Sequence, residues 1–233
     1  MNVGASRQFR SQRAILFDLD GTLVDSAPDI ATAVNELLGA SDLPPLRVDQ
    51  VKAMIGGGVR KLVERAFAAS GSPLADSALE EANRDMAPIY RRHLTRLTRL
   101  MPGVREVLTH FHLNGMAMGV VTNKPQLATR EILLHFHLTE YLGAIVGGDA
   151  VTQLKPAPDA LLLALDKLGV GPADALMVGD SSSDVGAARA AGMPVVLLRG
   201  GYTQIPVEEL GADLVCASLL DLPSAMQRLR AAA

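Results

Sequence analysis

Four apolar residues, Ala14-Ile15-Leu16-Phe17, run straight into two carboxylates spaced i and i+2, Asp18 and Asp20. Such a run reads as a strand buried on both faces, as in a parallel sheet. In open α/β sheets, ligands bind at the carboxyl ends of the strands. Side chains two apart on a strand point the same way, so Asp18 and Asp20 face one site if strand geometry persists. Two carboxylates held together repel unless a cation sits between them or one keeps its proton. The first case is a metal site and the second an acid beside a nucleophile. Gly21 lets backbone approach a ligand closely, with its N–H free to donate. Against this stands the plainer reading of Asp18 as a helix cap or a loop acid.

Three further constellations carry chemistry. A strand expected over Met116–Val121 ends in Thr122-Asn123-Lys124-Pro125. A hydroxyl and free backbone N–H groups there can hold a phosphoryl oxygen, although a Thr-Asn pair in isolation is usually a helix cap. Lys155 stands in Leu154-Lys155-Pro156-Ala157-Pro158, where the prolines stiffen the loop and keep it out of a helix interior. Lys124 is its nearest rival, in a supporting place. A strand expected over Ala175–Val178 ends in Gly179-Asp180-Ser181-Ser182-Ser183-Asp184. Asp180 and Asp184, four apart, share a face if a helix starts there, and either acid alone could be an N-terminal cap.

The elements that must position these residues fall into two grammars. From Asp25 to about Leu97 the apolar spacing is helical, with breaks at Gly39, Pro44-Pro45 and Gly56-Gly57-Gly58, and no strand is expected before about Leu100. From Met101 onward strands alternate with helices, the signature of βαβ units and a parallel sheet. A helical block therefore interrupts an α/β chain between its first strand and the rest.

Bulk properties narrow the function classes. The 233 residues carry a net charge of −3 and are 48% apolar, which allows a sizeable core and gives no basic surface for nucleic acid or an acidic membrane. The single cysteine, Cys216, excludes an internal disulfide framework and lies in an apolar stretch that suits a buried small residue. No apolar run approaches the ~18 residues needed to span a bilayer. Arg7, Arg10 and Arg13 precede no apolar signal region, so residues 1–12 read as a frayed tail and the protein as cytoplasmic.

Asp18-Leu19-Asp20-Gly21-Thr22-Leu23-Val24-Asp25-Ser26 resembles the first motif of the haloacid dehalogenase-like phosphohydrolases. Thr122, Lys155 with its Pro-x-Pro, and Asp180-x-x-x-Asp184 resemble the other three, in order. The resemblance implies an α/β fold, a Rossmann-like doubly wound parallel sheet core (1–23 and 101–233) with an inserted α-helical cap domain (24–100). It implies that Asp18 attacks phosphorus and that Asp20 protonates the leaving alcohol and then activates water. Mg²⁺ would be held by Asp18, the Asp20 carbonyl and Asp180, with Asp184 supporting from behind. Thr122, the Asn123 N–H, Gly21 and Lys155 would hold the phosphate. Dehalogenating relatives lack an acid at the position of Asp20, so its presence favours phosphoryl chemistry.

The Gly56-x-x-x-Arg60 and Gly57-x-x-x-Lys61 spacings fall where the cap loop reaches the site in this branch of the family. The glycine run is also a plain helix break. If the loop enters the site, Arg60 or Lys61 could pair with a substrate carboxylate. Asp25-Ser26-Ala27-Pro28-Asp29, Ile55-Gly56-Gly57-Gly58, Gly147-Gly148-Asp149 and Gly200-Gly201-Tyr202 are similar to the members that hydrolyse 2-phosphoglycolate. Several of these strings are shared with sugar-phosphate phosphatases of the N-acetylmuramate-6-phosphate type, and phosphomutases of the β-phosphoglucomutase type share the core chemistry. The expected partner is a small phosphorylated metabolite, without nucleic acid or membrane, and the expected assembly a monomer or homodimer. A receiver-type signalling module also uses Mg²⁺, Asp, Thr and Lys, but is about half this length and has no helical insert.

Overall fold

β1 (Ala14–Phe17) is buried along its whole length, which its unbroken apolar run demands of a strand covered on both faces. The structure is a computed structural model describing residues 12–231, so all but the last residue of the tail expected over 1–12 lies outside the described residues. After β1 come β2 (Val24–Asp25), α1 (Ala27–Gly39), α2 (Val48–Lys52), α3 (Val59–Ala69), α4 (Asp76–Arg91) and β3 (Arg99–Leu100). The alternating half follows: α5 (Val104–Leu113), β4 (Ala117–Val121), α6 (Gln126–His135), β5 (Ala144–Val146), α7 (Asp159–Leu168), β6 (Ala175–Gly179), α8 (Ser182–Ala191), β7 (Val195–Leu198), β8 (Leu214–Cys216) and α9 (Leu222–Ala231).

Six strands form one sheet in the order β5-β4-β1-β6-β7-β8, and every pairing is parallel. The chain therefore builds outward from β1 in both directions. The reversal between β4 and β6 opens a crevice at the carboxyl end of β1. Alternate residues of β1 serve opposite faces. Ile15 and Phe17 pack with α5, α6 and α9, and Leu16 packs with α7 and α8. The Ile15 cluster runs on without a break into Leu62, Phe67 and Met86 of α3 and α4, so the helical insert and the sheet share one apolar core. Cys216 is buried, and burial pushes its thiol pKa up, away from nucleophilic use.

Two features differ from expectation. The chain leaves and re-enters the sheet through a two-stranded antiparallel ribbon, with Val24 opposite Leu100 and Asp25 opposite Arg99. Strands of two residues have no periodicity to read, which is why none was expected there. The last helix of the insert stops at Arg91 rather than running to Leu97. Pro88 removes one of its final hydrogen bonds. Beyond it, the buried Asp29 carboxylate takes the Leu97 N–H (2.9 Å), the Thr98 N–H (2.8 Å) and the Thr98 hydroxyl (2.7 Å), drawing the chain out of helical register. Asp29→Ala would strand these buried donors at the root of the insert. We expect it to lower unfolding free energy by about 2–4 kcal/mol, read by urea denaturation. A loss under about 0.5 kcal/mol would mean that the clamp is replaced by water.

Candidate active site

Asp18, Thr122 and Asp180 are the residues immediately after β1, β4 and β6, three adjacent strands in register, so sheet pairing alone brings them to one place. The Asp18 N–H is still paired, at 2.9 Å to the Val178 carbonyl. Lys155 reaches in from the β5–α7 connection. Its Nζ donates to Asp18 Oδ1 (2.8 Å), Asp184 Oδ1 (2.7 Å) and the Val121 carbonyl (3.0 Å). Only 4% of Lys155 is exposed, so it is no solvated surface lysine.

Asp18, Asp180 and Asp184 bring carboxylate oxygens within 4.8 Å of one another, all buried. Burial pushes the Asp18 carboxyl up to about 6, with Lys155 opposing and Asp184 adding to the rise. Burial, then repulsion from Asp18 and Asp184, holds Asp180 well above the usual carboxylate range. For Lys155, burial works against the charge, but Asp18 and Asp184 outweigh it and the pKa rises. Three ionised carboxylates and one ammonium leave two negative charges, which a divalent cation on hard oxygen ligands would balance. The donor set therefore fits such an ion.

Asp184 does not share a helix face with Asp180, because α8 begins only at Ser182. It sits in the first turn, where its Oδ2 accepts the Asp180 N–H (3.2 Å), the Ser181 N–H (3.1 Å) and the Ser181 hydroxyl (2.7 Å). It is thus a cap and the second anchor of Lys155 at once. Asp180 is fixed on its other side by the Tyr202 N–H (2.6 Å) and the Thr22 hydroxyl (3.2 Å).

The Asp20 carboxylate stands outside that cluster. The Lys124 ammonium donates to both of its oxygens (2.9 and 2.8 Å), and the Ser26 hydroxyl donates to Oδ1. Lys124 is thereby more than a neighbour of Thr122, a role its position inside the Thr122–Pro125 string only hinted at. Ser26 begins the connection into α1, and the Tyr202 hydroxyl accepts its N–H (2.7 Å) while donating to Asp25 (2.8 Å). Tyr202 therefore ties the Asp180 end of the site to the root of the insert. Its only sequence signal was membership of the Gly200-Gly201-Tyr202 string.

Asn123 is a clamp. Its side chain donates to the Gly56 carbonyl (2.8 Å) and the Lys155 carbonyl (2.9 Å) and accepts the Lys155 N–H (2.8 Å). The glycine loop of the insert is thus bonded to the loop carrying Lys155. Thr122 is no cap of α6; its hydroxyl accepts the Lys124 N–H (3.2 Å).

Three expected substrate contacts are not where the spacing put them. The Gly21 N–H is spent on the Val24 carbonyl at 2.8 Å. Gly21 is needed instead because its φ of +87° and its approach to Asp180, 2.6 Å from a built Cβ, exclude a side chain. Arg60 pairs with Glu80 (2.7 Å) and Lys61 with Glu64 (2.9 Å), on the exposed side of α3, and neither lines the cavity. One turn of helix further on, Arg65 does line it. Arg65, four residues after Lys61, shares its side of α3 and is likewise exposed, but its guanidinium bonds back to the Met54 carbonyl and so edges the cavity.

The cavity is about 480 Å³ and lies between the strand ends and the insert. Asp18, Asp20, Thr122, Lys155 and Asp180 form its floor, with Met86 and Tyr90 of α4 among the walls. A buried carboxylate clamped by lysine, a second held two residues away, and an acidic cluster that fits a divalent cation can support attack on phosphorus followed by proton transfer.

Known proteins resemble this chain in sequence and fold. The family model for haloacid dehalogenase-like hydrolase matches residues 15–198. A phosphoglycolate phosphatase of Caulobacter vibrioides is 41% identical over 211 residues, covering 91% of this chain and 89% of its own. That of Escherichia coli K12 is 36% identical over 237 residues, covering 94% of each. Among solved structures, a predicted phosphoglycolate phosphatase from Haemophilus somnus superposes with a TM-score of 0.86 at 32% identity, over 93% of this chain and 98% of that one. CbbY from Rhodobacter sphaeroides, in complex with phosphate, gives 0.78 at 26% identity over 91% and 96%.

Proposed function

The chain belongs to the haloacid dehalogenase-like hydrolases and is a phosphoric monoester hydrolase, and from that premise we propose that it is Mg²⁺-dependent and converts 2-phosphoglycolate to glycolate and phosphate. The observation that carries the reading is the division of labour between two neighbouring carboxylates. Asp18 lies against Lys155 beside Asp180, while Asp20 is held apart by Lys124 and Ser26.

Asp18 attacks phosphorus and becomes an aspartyl phosphate. Asp20 gives a proton to the departing alcohol and then takes one from the water that hydrolyses the intermediate. Lys155, the Thr122 hydroxyl and the Asn123 N–H stabilise the phosphoryl oxygens as charge develops. Asp18 and Asp180 carboxylates and the Asp20 carbonyl are the groups that would hold Mg²⁺, with Asp184 keeping Lys155 in place. Bound there, Mg²⁺ offsets charge on phosphate and nucleophile. Residues 24–100 act as the cap, which excludes water and reads the rest of the substrate. The substrate choice is supported by relatives named phosphoglycolate phosphatase at about 40% identity.

The test is phosphate release from 2-phosphoglycolate and from sugar and nucleotide monophosphates, in Mg²⁺ and in EDTA. We expect 2-phosphoglycolate to lead in kcat/KM by at least about tenfold and EDTA to abolish turnover. Mg²⁺ at 100 times its Kd should also stabilise the fold by about 2.7 kcal/mol in thermal melts. A preference for a bulkier sugar phosphate discards the substrate. Isomerisation of a sugar phosphate discards hydrolysis in favour of a mutase.

A further inference from the structure

Three cationic side chains line the cavity, and two are already neutralised: Lys155 by Asp18 and Asp184, Lys124 by Asp20. The third, Arg65, has no carboxylate partner among the described residues. Its one hydrogen bond runs from Nη1 to the Met54 carbonyl at 2.9 Å, which steadies the guanidinium without touching its charge. Tyr90, on α4, is 6% exposed, lines the same cavity, and its hydroxyl makes no well-formed hydrogen bond among the described residues. The Lys124 ammonium lies over the Tyr90 ring, 4.8 Å from its centre, and its charge favours the ionised phenol against the larger effect of burial. Burial pushes the phenol up to about 12, so it remains a donor at neutral pH. A buried hydroxyl left without a partner costs stability, and such groups call for an explanation.

Apart from these two residues, the insert contributes only apolar side chains and glycines to the cavity wall, among them Ile55, Leu62 and Met86. We propose that Arg65 and Tyr90 read the end of the substrate remote from phosphorus, Arg65 pairing with a carboxylate and Tyr90 donating its hydroxyl to the same short ester. This rests on the phosphatase reading above and gives the site its selectivity for an acid. A polyhydroxylated sugar would leave most of its hydroxyls against apolar wall on that side, where each lost hydrogen bond counts against it. A two-carbon acid presents one anionic group, and the wall offers one guanidinium and one hydroxyl to meet it.

The experiment compares kcat/KM for 2-phosphoglycolate with that for ethylene glycol monophosphate, its counterpart without the carboxylate, in wild type, Arg65→Met, Arg65→Lys and Tyr90→Phe. Wild type should prefer the acid. Arg65→Met should lose about 100-fold on the acid, mostly in KM, and at least tenfold less on the ester that lacks the carboxylate. Arg65→Lys should recover part of the preference. Tyr90→Phe should weaken the acid about tenfold yet melt, without ligand, close to wild type, because the hydroxyl it deletes makes no well-formed hydrogen bond among the described residues. A purely structural Tyr90 would instead lose stability and leave KM alone. Equal losses of Arg65→Met on both esters, or none, overturn the assignment while leaving the phosphatase standing. A wild type indifferent to the carboxylate overturns the substrate reading itself, and that is read before any variant is made.

Discussion

Asp18→Asn should lower kcat by at least about 10⁴-fold and leave the chain folded. The substitution is isosteric, and the Asp18 main chain keeps its hydrogen bond to Val178 whatever its side chain. What disappears is the proposed oxygen nucleophile. The effect on stability has a defined sign. The folded pKa of Asp18, about 6, lies above its ordinary 3.8, so between those values the folded chain holds more protons than the unfolded one. Stability of the metal-free protein therefore falls as pH rises through that window, by up to about 3 kcal/mol for this group alone. An amide has nothing to ionise. Asp18→Asn in EDTA at pH 7 should melt at or above wild type, and should gain less than wild type from added Mg²⁺. Turnover within tenfold of wild type would place the nucleophile elsewhere. A large fall in melting temperature would show that loss of activity reports unfolding instead.

The floor of this site was legible because its residues are fixed by strand ends. A buried run such as Ala14–Phe17 announces a parallel strand, and parallel register then carries Asp18, Thr122 and Asp180 to the same edge without side-chain detail. Lys155 was legible through its prolines. The contacts that the sequence does not specify act across the fold. Lys124 meets Asp20 over 104 positions of sequence, and Tyr202 meets Ser26 over 176. Nothing local distinguishes such a tyrosine from one that fills core.

The insert shows where spacing misleads. Arg60 and Lys61 follow the glycine run at the expected distance, yet α3 starts at Val59 and its phase turns both toward Glu80 and Glu64. A shift of one residue in the helix start would have turned Arg60 inward, and the glycines gave no way to choose. Gly21 misled differently: its backbone was free in principle, but the tight turn to Val24 consumed the donor. The two-residue strands at Val24 and Arg99 are set by pairing with each other, a tertiary fact with no periodic trace.

Lys155→Met should be the most destabilising single change in the site. The ammonium touches two buried carboxylates, and methionine keeps the stem but removes the charge, leaving Asp18 and Asp184 unpaired in low dielectric. Breaking a buried pair from one side costs about 3–5 kcal/mol, a large share of a typical domain's 5–15. Loss of the phosphoryl-stabilising charge should lower kcat a further 10²- to 10³-fold, roughly the effect of deleting an oxyanion donor. The two effects separate in the double variant Lys155→Met with Asp184→Asn. Asparagine can still accept the Ser181 and Asp180 N–H groups that Asp184 now holds, so the start of α8 survives while one stranded charge is removed. If the instability is electrostatic, urea denaturation should show the double variant recovering at least about half of the lost free energy, with a coupling of 1–3 kcal/mol. Activity should not recover if, as proposed, Lys155 serves the substrate and Asp184 only holds Lys155. A Lys155→Met protein within about 1 kcal/mol of wild type would show that water reaches these carboxylates and the cluster is wetter than its burial implies. A double variant that regained stability and turnover together would make Lys155 a structural counter-ion and return the phosphate contacts to Thr122 and the Asn123 N–H.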